Sequence, residues 1–273
     1  MKWRILYSGI ASAAENMAID EAILQAHRDR LAPPTIRFYG WQPAAVSLGY
    51  FQRATSEIDL ERCRAEKVDV VRRLTGGRAV LHDQELTYSV IVNEEHPLLP
   101  STITASYLLF SSALVGGLRK LGVNAAMTTP QAAYGKVKKT HTSSACFDAP
   151  SHYELTAEGR KLAGSAQVRK DGILLQHGSI LLSFCPERLA ALLRLSEEQR
   201  DGIAELLAAR AVALDELLGR TVGWREAAEA VEGGFRRVLP VEVETGSLSE
   251  HERKTSRSLV NEKYGCAAWT MLR

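Results

Sequence analysis

The 273-residue sequence has no apolar run long enough to span a membrane, and residues 1–5 show no signal-peptide pattern. Cysteine is scarce and never occurs with Cys-x-x-Cys spacing, so neither a metal site nor a disulfide framework is indicated. The four cysteines are Cys63, Cys146, Cys185 and Cys266. A formal net charge of +2 is too small to indicate a nucleic-acid-binding protein. We therefore expect a cytoplasmic protein with free thiols that binds neither nucleic acid nor membranes.

The composition is typical of a folded globular protein, with 45% apolar and 24% charged residues. The chain contains neither a Gly/Ser-rich linker nor an internal repeat. We therefore expect one domain over residues 1–273. Residues from about 186 to 273 are predicted to form a helical cover on that domain and not an independent unit.

Apolar periodicity predicts a mixture of helices and strands. Ser12 and Glu15 form a capping-box pattern, which predicts a helix that continues to about Asp29. Further helices are predicted at residues 59–66, 102–121, 186–195, 196–218, 224–238 and 249–264. Strands are predicted at residues 3–7, 35–39, 45–49, 69–73, 86–92 and 124–128.

Two turn signals lie in the middle of the chain. Glu158-Gly159 and Asp171-Gly172 each separate strand-like runs, and such pairs favour two-residue hairpins, in which both residues adopt positive φ. They predict a three-strand meander, preceded by a surface loop at residues 143–151 that contains Cys146. Lys161, at a strand start, is placed to supply the positive charge that a nucleophilic thiol needs. From the residues alone, Cys146 as a small buried apolar residue stays an alternative.

A second candidate region spans residues 72–92. Its paired glycines, Gly76 and Gly77, allow either a close backbone approach to a ligand or a turn, and a plain hairpin turn is the preferred interpretation. Because no Gly-Lys-Ser/Thr follows, the pair is not a phosphate-binding P-loop. His82 beside Asp83 is interpreted as a structural hydrogen-bonding pair, with catalysis as the alternative.

Two further segments are open to two interpretations each. Tyr50 and Phe51, at a strand end, are interpreted as core residues, with a pocket wall as the alternative. The polar segment at residues 130–142 contains three lysines and is predicted to be a loop. Docking of an acidic partner on that loop is an additional hypothesis.

Six strings in the sequence are long and specific: residues 36–41, 47–52, 72–92, 143–151, 159–167 and 176–182. They include Ser47-Leu-Gly-Tyr-Phe-Gln52 and Gly159-Arg-Lys-Leu-Ala-Gly-Ser-Ala-Gln167. Together they resemble the biotin/lipoate protein ligase superfamily and, within it, the cysteine-dependent octanoyltransferases of lipoate biosynthesis in Gram-positive bacteria. The resemblance covers the chain from about residue 35 to 182 and is only loose in the helical C-terminal part.

The resemblance implies an α/β (α+β) fold with mixed, largely antiparallel sheets flanked by helices. It also implies that Cys146 accepts the acyl group and that Lys161 activates it. The acyl pocket is implied to lie between the 72–82 loop and the 161–167 strand. Its implied residues are Arg72, Gly76, Gly77, Arg78, His82, Gly164, Ser165 and Ala166.

The implied reaction moves octanoate from octanoyl-acyl carrier protein to a lysine of the glycine cleavage H protein or another lipoyl domain. Because octanoate arrives as a thioester, its exchange onto Cys146 is nearly isoenergetic, and neither ATP nor another cofactor is expected. Backbone N–H groups near residues 76–77 or 163–164 are alternative donors to the oxyanion.

Three rival activities are considered. An ATP-dependent lipoate or biotin ligase resembles the chain at Lys161-Leu-Ala-Gly-Ser-Ala, but it typically has an Arg-Asn-Asp-like segment in place of Ala145-Cys-Phe-Asp-Ala-Pro150. A sister amidotransferase moves octanoate from the H protein to other lipoyl domains through its own cysteine. A non-catalytic acyl-binding or regulatory domain has no use for a paired thiol and amine.

Overall fold

The computed structural model describes residues 2–128 and 154–273 and arranges their strands in two sheets. The strands, in chain order, are β1 (Lys2–Ala11), β2 (Thr35–Trp41), β3 (Ala45–Leu48), β4 (Asp69–Arg72), β5 (Val80–His82), β6 (Glu85–Asn93), β7 (Ala125–Thr128), β8 (Glu154–Ala157), β9 (Arg160–Lys170), β10 (Ile173–Leu181) and β11 (Glu242–Thr245).

The larger sheet has the strand order β11-β1-β2-β6-β10-β9-β8-β7, and the smaller sheet has the order β4-β3-β5. All neighbours from β2 to β7 across the larger sheet are antiparallel. The β11–β1, β1–β2 and β3–β4 pairs are parallel. The predicted mixed, largely antiparallel architecture is thereby confirmed.

Helices flank both sheets. They are α1 (Ala13–Arg28), α2 (Ala54–Glu57), α3 (Leu60–Ala65), α4 (Ile103–Lys120), α5 (Pro186–Leu192), α6 (Glu197–Arg210), α7 (Leu214–Leu218), α8 (Trp224–Val238), α9 (Glu250–Leu259), a π-helical turn at Val260–Tyr264 and α10 (Ala267–Thr270). Among the residues that the structure describes, no helix combines the length and apolar character needed to cross a membrane.

The predicted three-strand meander is confirmed as β8, β9 and β10. Glu158 and Gly159 have φ values of 51° and 75°, and Asp171 and Gly172 have values of 52° and 77°. Both turn pairs therefore have the two positive φ angles that match the right-handed twist of paired strands. The Asp171–Gly172 turn fixes the register that brings β9 against β10 over most of their length.

Helix α1 begins at the predicted capping box. The Ser12 hydroxyl accepts a hydrogen bond from the Glu15 amide, and the Glu15 carboxylate accepts one from the Ser12 amide at 3.0 Å. Met17 packs in a cluster with side chains of β2, β3 and β4, whereas Ile23 packs with side chains of β6 and β10. Helix α1 therefore contacts both sheets.

Helices α4 and α8 cover another part of the larger sheet, and their aromatic side chains form its main core with residues of β2 and β6. The two helices cross at glycine. A Cβ atom on Gly117 of α4 would lie 2.5 Å from the Ala230 carbonyl oxygen and 2.7 Å from the Val231 Cα of α8. The backbones therefore approach more closely than side chains would allow.

The Gly76–Gly77 segment is not a hairpin turn, and that prediction was wrong. The strands that it joins, β4 and β5, both pair with β3, the former in parallel and the latter antiparallel. A Cβ atom on Gly49, just after β3, would lie 2.8 Å from the Gly77 carbonyl carbon. The segment therefore crosses the end of β3 at close range, and Gly77 adopts a φ of +95° there.

The C-terminal part differs from prediction in two places. Residues 242–245 form a strand, β11, which pairs in parallel with β1 at the edge of the larger sheet. The predicted 196–218 helix is divided into α6 and α7, because residues 211–213 are extended and the Val212 amide donates to the Lys161 carbonyl at 3.0 Å. The 224–238 helix is confirmed.

Candidate active site

A cavity with an empty volume of about 460 Å³, part of it open to solvent, lies between the two sheets and α1. Its walls come from both sheets, the Gly76–Gly77 segment and α1. The lining residues are Met17, Tyr39, Trp41, Ser47, Arg73, Gly77, Val80, His82, Thr87, Gly164, Ser165, Ala166, His177, Gly178 and Ser179.

Small residues on β9 and β10 form one wall of the cavity. Gly164, Ser165 and Ala166 pair with Ser179, Gly178 and His177. A Cβ atom on Gly178 would lie 2.5 Å from the Ser165 hydroxyl and 2.7 Å from the Tyr88 ring. Only glycine fits at this position without a shift, so the backbone itself forms this part of the wall.

A buried polar network borders the cavity at Tyr39 and His177. Asp20 accepts hydrogen bonds from Arg37 at 2.8 Å and from the Tyr39 hydroxyl at 2.9 Å, and its carboxylate lies 3.6 Å from His177 Nδ1. Burial alone would raise the pKa of Asp20, but Arg37 and His177 outweigh it and hold that pKa below its usual value. Burial lowers the pKa of His177, which favours the neutral imidazole at the cavity wall, with the Asp20 carboxylate behind it.

A second network supports His82. The ring stacks on Trp41 at 4.1 Å between centroids, and its nitrogens lie 2.8 Å from the Ser47 hydroxyl and 2.8 Å from a Glu85 carboxylate oxygen. The predicted His82–Asp83 pair was wrong, because Asp83 pairs with Arg188 instead. His82 is therefore a hydrogen-bonded residue, as predicted, but its carboxylate partner is Glu85.

Five of the predicted pocket residues lie at the cavity wall: Gly77, His82, Gly164, Ser165 and Ala166. Arg72, Gly76 and Arg78 are not among the lining residues. The Arg72 side chain is fully buried, and its guanidinium group donates to backbone carbonyls on both sides. These are the carbonyls of Gly49, Tyr50, Gln52, Trp269 and Thr270.

Lys161 is buried on β9 beside Glu154 of β8. The Lys161 Nζ atom lies 3.1 Å from a Glu154 carboxylate oxygen, and 4% and 1% of the two side chains are exposed. Lys161 is three residues before Gly164, where β9 reaches the cavity. Cys146 and the predicted 130–142 loop lie outside the described residues, so the distance between Cys146 and Lys161 stays a prediction.

Ten of the fifteen residues that line the cavity were not predicted as site residues, among them Arg73, Trp41 and His177. Arg73 donates to the carbonyls of Ser47, Gly76 and Arg78 at 2.7–2.8 Å and thereby holds the glycine segment in place. Trp41 and His177 lie within the strings at residues 36–41 and 176–182. That resemblance was the signal available for those two, and the same signal covered Arg73, which lies within the string at residues 72–92.

The family model of the lipoyl protein ligase A/B catalytic domain matches residues 12–236, so the chain with this fold and cavity belongs to that family. The chain is also similar over nearly its whole length to proteins named Octanoyltransferase LipM. It is 47% identical to that of Kyrpidia tusciae, covering 98% of this chain and 97% of the relative, and 46% identical to that of Bacillus subtilis, covering 99% and 98%. These names agree with the predicted enzyme class, an acyltransferase.

Solved structures of lipoate protein ligases have the same fold. A bipartite ligase from Thermoplasma acidophilum, studied with its E2 lipoyl domain, superimposes with a TM-score of 0.80 at 26% identity, covering 99% of this chain and 96% of that one. Lipoate-protein ligase A bound with ATP gives a TM-score of 0.79 at 25% identity, covering 99% of both chains. The predicted family and fold are therefore confirmed.

Proposed function

We propose that the protein transfers an octanoyl group from octanoyl-acyl carrier protein to a lysine of a lipoyl carrier protein, the glycine cleavage H protein, through a thioester on Cys146. The observation that carries this proposal is the buried Lys161 amine on the strand that forms the cavity wall, in a chain whose full-length relatives are named octanoyltransferases. Lys161 and Cys146 are the proposed catalytic residues.

In the first half-reaction, the Cys146 thiolate attacks the carbonyl carbon of the incoming thioester. A new bond forms between that carbon and Sγ, the bond to the carrier sulfur breaks, and the carrier leaves as a thiol after taking a proton. Lys161 supplies the positive charge that favours the attacking thiolate. One thioester replaces another, so the step needs no ATP.

In the second half-reaction, a lysine amine of the acceptor attacks the same carbon. The new carbon–nitrogen bond forms, the bond to Sγ breaks, and the proton lost by the amine returns to the Cys146 sulfur. The product is an amide, which is more stable than a thioester, so the step is downhill. Removing either catalytic side chain is therefore expected to stop transfer.

The cavity is the proposed acyl site. Met17, Tyr39, Trp41 and Val80 present apolar surface to it, and the alkyl chain needs no polar partner. A chain longer than the cavity would overpack it at a cost of about 1–3 kcal/mol. We propose that this enclosure, together with the buried glycine wall, favours the eight-carbon chain.

The likeness to an ATP-bound ligase supports a second candidate, an ATP-dependent lipoate ligase. Two reactions separate the candidates: octanoyl-acyl carrier protein without ATP, and free octanoate with ATP and magnesium, each with a lipoyl acceptor. We expect amide product only from the first. Product only from the second, with an acyl-adenylate intermediate, would overturn the proposal.

An amidotransferase that uses octanoylated H protein as the donor is the other alternative. Supplying octanoyl-acyl carrier protein and octanoylated H protein in parallel separates the two donors, because the proposed enzyme is acylated on Cys146 by the first. Acylation by the second alone would make the protein an amidotransferase. The single-domain organisation and cytoplasmic location stay predictions.

A further inference from the structure

We propose that a rim patch, formed by Phe51, Arg53, Met271, Leu272 and Arg273, is the docking surface for the acidic carrier domain that delivers the acyl thioester. This inference rests on the proposed function. It concerns which surface the donor touches, a property separate from the residues that perform the chemistry.

Exposed apolar side chains are concentrated in the rim patch. Phe51, Met271 and Leu272 are 71%, 41% and 48% exposed, and they make up half of the large apolar side chains exposed among the described residues. The prediction of core packing was wrong for Phe51. The Arg273 guanidinium group lies 5.2 Å from the centroids of both Tyr50 and Phe51, which joins the C-terminal residues to the aromatic pair.

Arg72 builds this surface from beneath. It donates hydrogen bonds of 2.7–3.0 Å to the carbonyls of Gly49, Tyr50 and Gln52 on one side, and one of 2.7 Å to the carbonyl of Thr270 on the other. A buried guanidinium that spans two backbone segments fixes their relative position. The rim patch is therefore preorganised, which lowers the entropy lost when a partner binds.

The rim patch adjoins the opening of the cavity. Gly77 is exposed at the surface and also lines the cavity, so the cavity reaches solvent beside it. A Cβ atom on neighbouring Gly76 would contact the Phe51 ring at 3.9 Å. A carrier seated on Phe51 would thus hold its acyl thioester at the entrance.

The charge of the rim patch specifies an acidic partner. Arg53 and Arg273 are exposed, and neither forms an ion pair with any residue in the described ranges 2–128 and 154–273. The half-buried Arg78, on the glycine segment, likewise has no acidic partner within those ranges. Unpaired guanidinium groups around an apolar centre favour a partner with carboxylates around an apolar face.

The test compares two donors in single-turnover acylation of Cys146: octanoyl-acyl carrier protein, and octanoyl-pantetheine, which has the thioester without the carrier domain. The variants are Phe51→Ser and Arg273→Glu. Leu31→Ser, at a site 60% exposed, and Arg237→Glu, on α8, are matched controls outside the rim patch. We expect the half-saturating concentration of octanoyl-acyl carrier protein to rise about tenfold in Phe51→Ser and Arg273→Glu and to stay unchanged in the two controls. Acylation by octanoyl-pantetheine should be the same in all four variants as in wild type.

Each other outcome has a defined meaning. Wild-type protein that is not acylated by either donor overturns the proposed function itself. If wild type is acylated and the rim-patch variants need no more acyl carrier protein than wild type does, only the rim-patch proposal is overturned. The same holds if the variants lose as much activity with octanoyl-pantetheine as with octanoyl-acyl carrier protein. A defect confined to transfer onto the acceptor, or a dimer abolished by Phe51→Ser, would assign the rim patch to the acceptor or to a second copy instead.

Discussion

The Lys161–Glu154 ion pair is almost fully buried between β8 and β9. Taking two charges out of water costs several kcal/mol per ion, and their attraction offsets this only in good geometry. Apolar residues of similar volume are often at least as stabilising in such positions. The pair is therefore better explained by the need to hold an amine in a fixed place than by stability.

Glu154→Gln is expected to lower turnover about 10- to 100-fold, because glutamine keeps the shape of the side chain but removes the charge that positions the Lys161 amine. The half-saturating concentrations of both carriers should change little, since the substitution does not touch the surface. Removing the charge of one member of a buried ion pair should also lower the free energy of unfolding by about 3–5 kcal/mol. Single-turnover acylation and urea unfolding measure the two effects.

Glu216→Gln is the matched control. Glu216 also pairs with a side chain of β9, Arg160, at 2.7 Å, but 57% of it is exposed. Its substitution should change the free energy of unfolding by less than about 1 kcal/mol and leave turnover unchanged. Wild-type turnover in Glu154→Gln would show that the carboxylate does not position the amine.

His27 gives a prediction about pH. Its Nε2 atom accepts a hydrogen bond from the Asn93 amide at 3.0 Å, and its Nδ1 lies 2.7 Å from the Ala32 carbonyl oxygen, so the neutral ring fits both partners. Burial, followed by the nearby charge of Arg4, lowers the pKa of His27 below 6.5, although the Ala32 carbonyl opposes this. The unfolded chain therefore binds the proton more readily than the folded protein.

It follows that the stability contributed by neutral His27 is present above about pH 6.5 and is lost as the pH falls from there toward the folded pKa. The loss for one group is up to about 1.4 kcal/mol per pH unit. Urea unfolding at pH 7.5 and 5.5 should show a smaller decrease for His27→Gln than for wild type. Equal decreases would mean that His27 does not titrate differently on folding.

Arg72 and Arg73 show what the sequence does not reveal at the level of single residues. Arg72 was predicted to line the pocket, but Arg73 lines the cavity instead. The Arg72 guanidinium group donates to backbone carbonyls away from the cavity. Adjacent strand residues point to opposite faces. Which face of β4 meets the cavity depends on packing against the C-terminal turn, and no local pattern encodes that.

At the level of elements, Gly→Ala substitutions in two helices should change the free energy of unfolding in opposite directions, and one of these glycines lies at the crossing of α4 and α8. A Cβ atom on Gly234 of α8 would lie 2.7 Å from the Gly117 amide nitrogen, so Gly234→Ala should destabilise the fold by about 1–3 kcal/mol through overpacking. On Gly202 of α6, a Cβ atom would have no neighbour within 4 Å. Gly202→Ala should therefore stabilise the fold by up to about 1 kcal/mol.

Urea unfolding at a single pH measures both glycine variants. A Gly234→Ala variant as stable as wild type would contradict this prediction, because the helices would then have room to separate without loss. A destabilised Gly202→Ala would equally contradict it.

Elements with local signals were predictable, and elements set by distant partners were not. The capping box at Ser12 and the turn at Asp171–Gly172 depend on residues next to each other, and both were correct. Strand β11 exists because it pairs with β1, from the opposite end of the chain. The prediction of a Gly76–Gly77 hairpin was wrong for the same reason, because β3 lies between the strands that the glycines join.

For the whole molecule, the cavity is a product of tertiary packing. Its walls come from α1, both sheets and the glycine segment. The lining residues are spread along the chain from Met17 to Ser179, so no single stretch of sequence contains them. Resemblance to a known family identified five of its wall residues, whereas composition and periodicity identified none of its geometry. Cys146, central to the proposed chemistry, lies outside the described residues.

The cysteine thiols in the described part of the chain differ in burial, which affects how readily each becomes a nucleophilic thiolate. Burial raises the pKa of Cys63 to about 11, so that thiol stays protonated near neutral pH. Cys185 is exposed and Cys266 is half-buried. Exposure alone therefore does not single out Cys146, and acylation must be located on the chain by measurement.

The most direct test is intact-mass spectrometry of the protein mixed with octanoyl-acyl carrier protein, followed by addition of the lipoyl acceptor and peptide mapping. We predict one added octanoyl group on Cys146 that passes to the acceptor lysine, is absent in Cys146→Ser and persists in Cys185→Ser and Cys266→Ser. Full transfer by Cys146→Ser, or an octanoyl group on Cys185 that passes to the acceptor, would contradict the account.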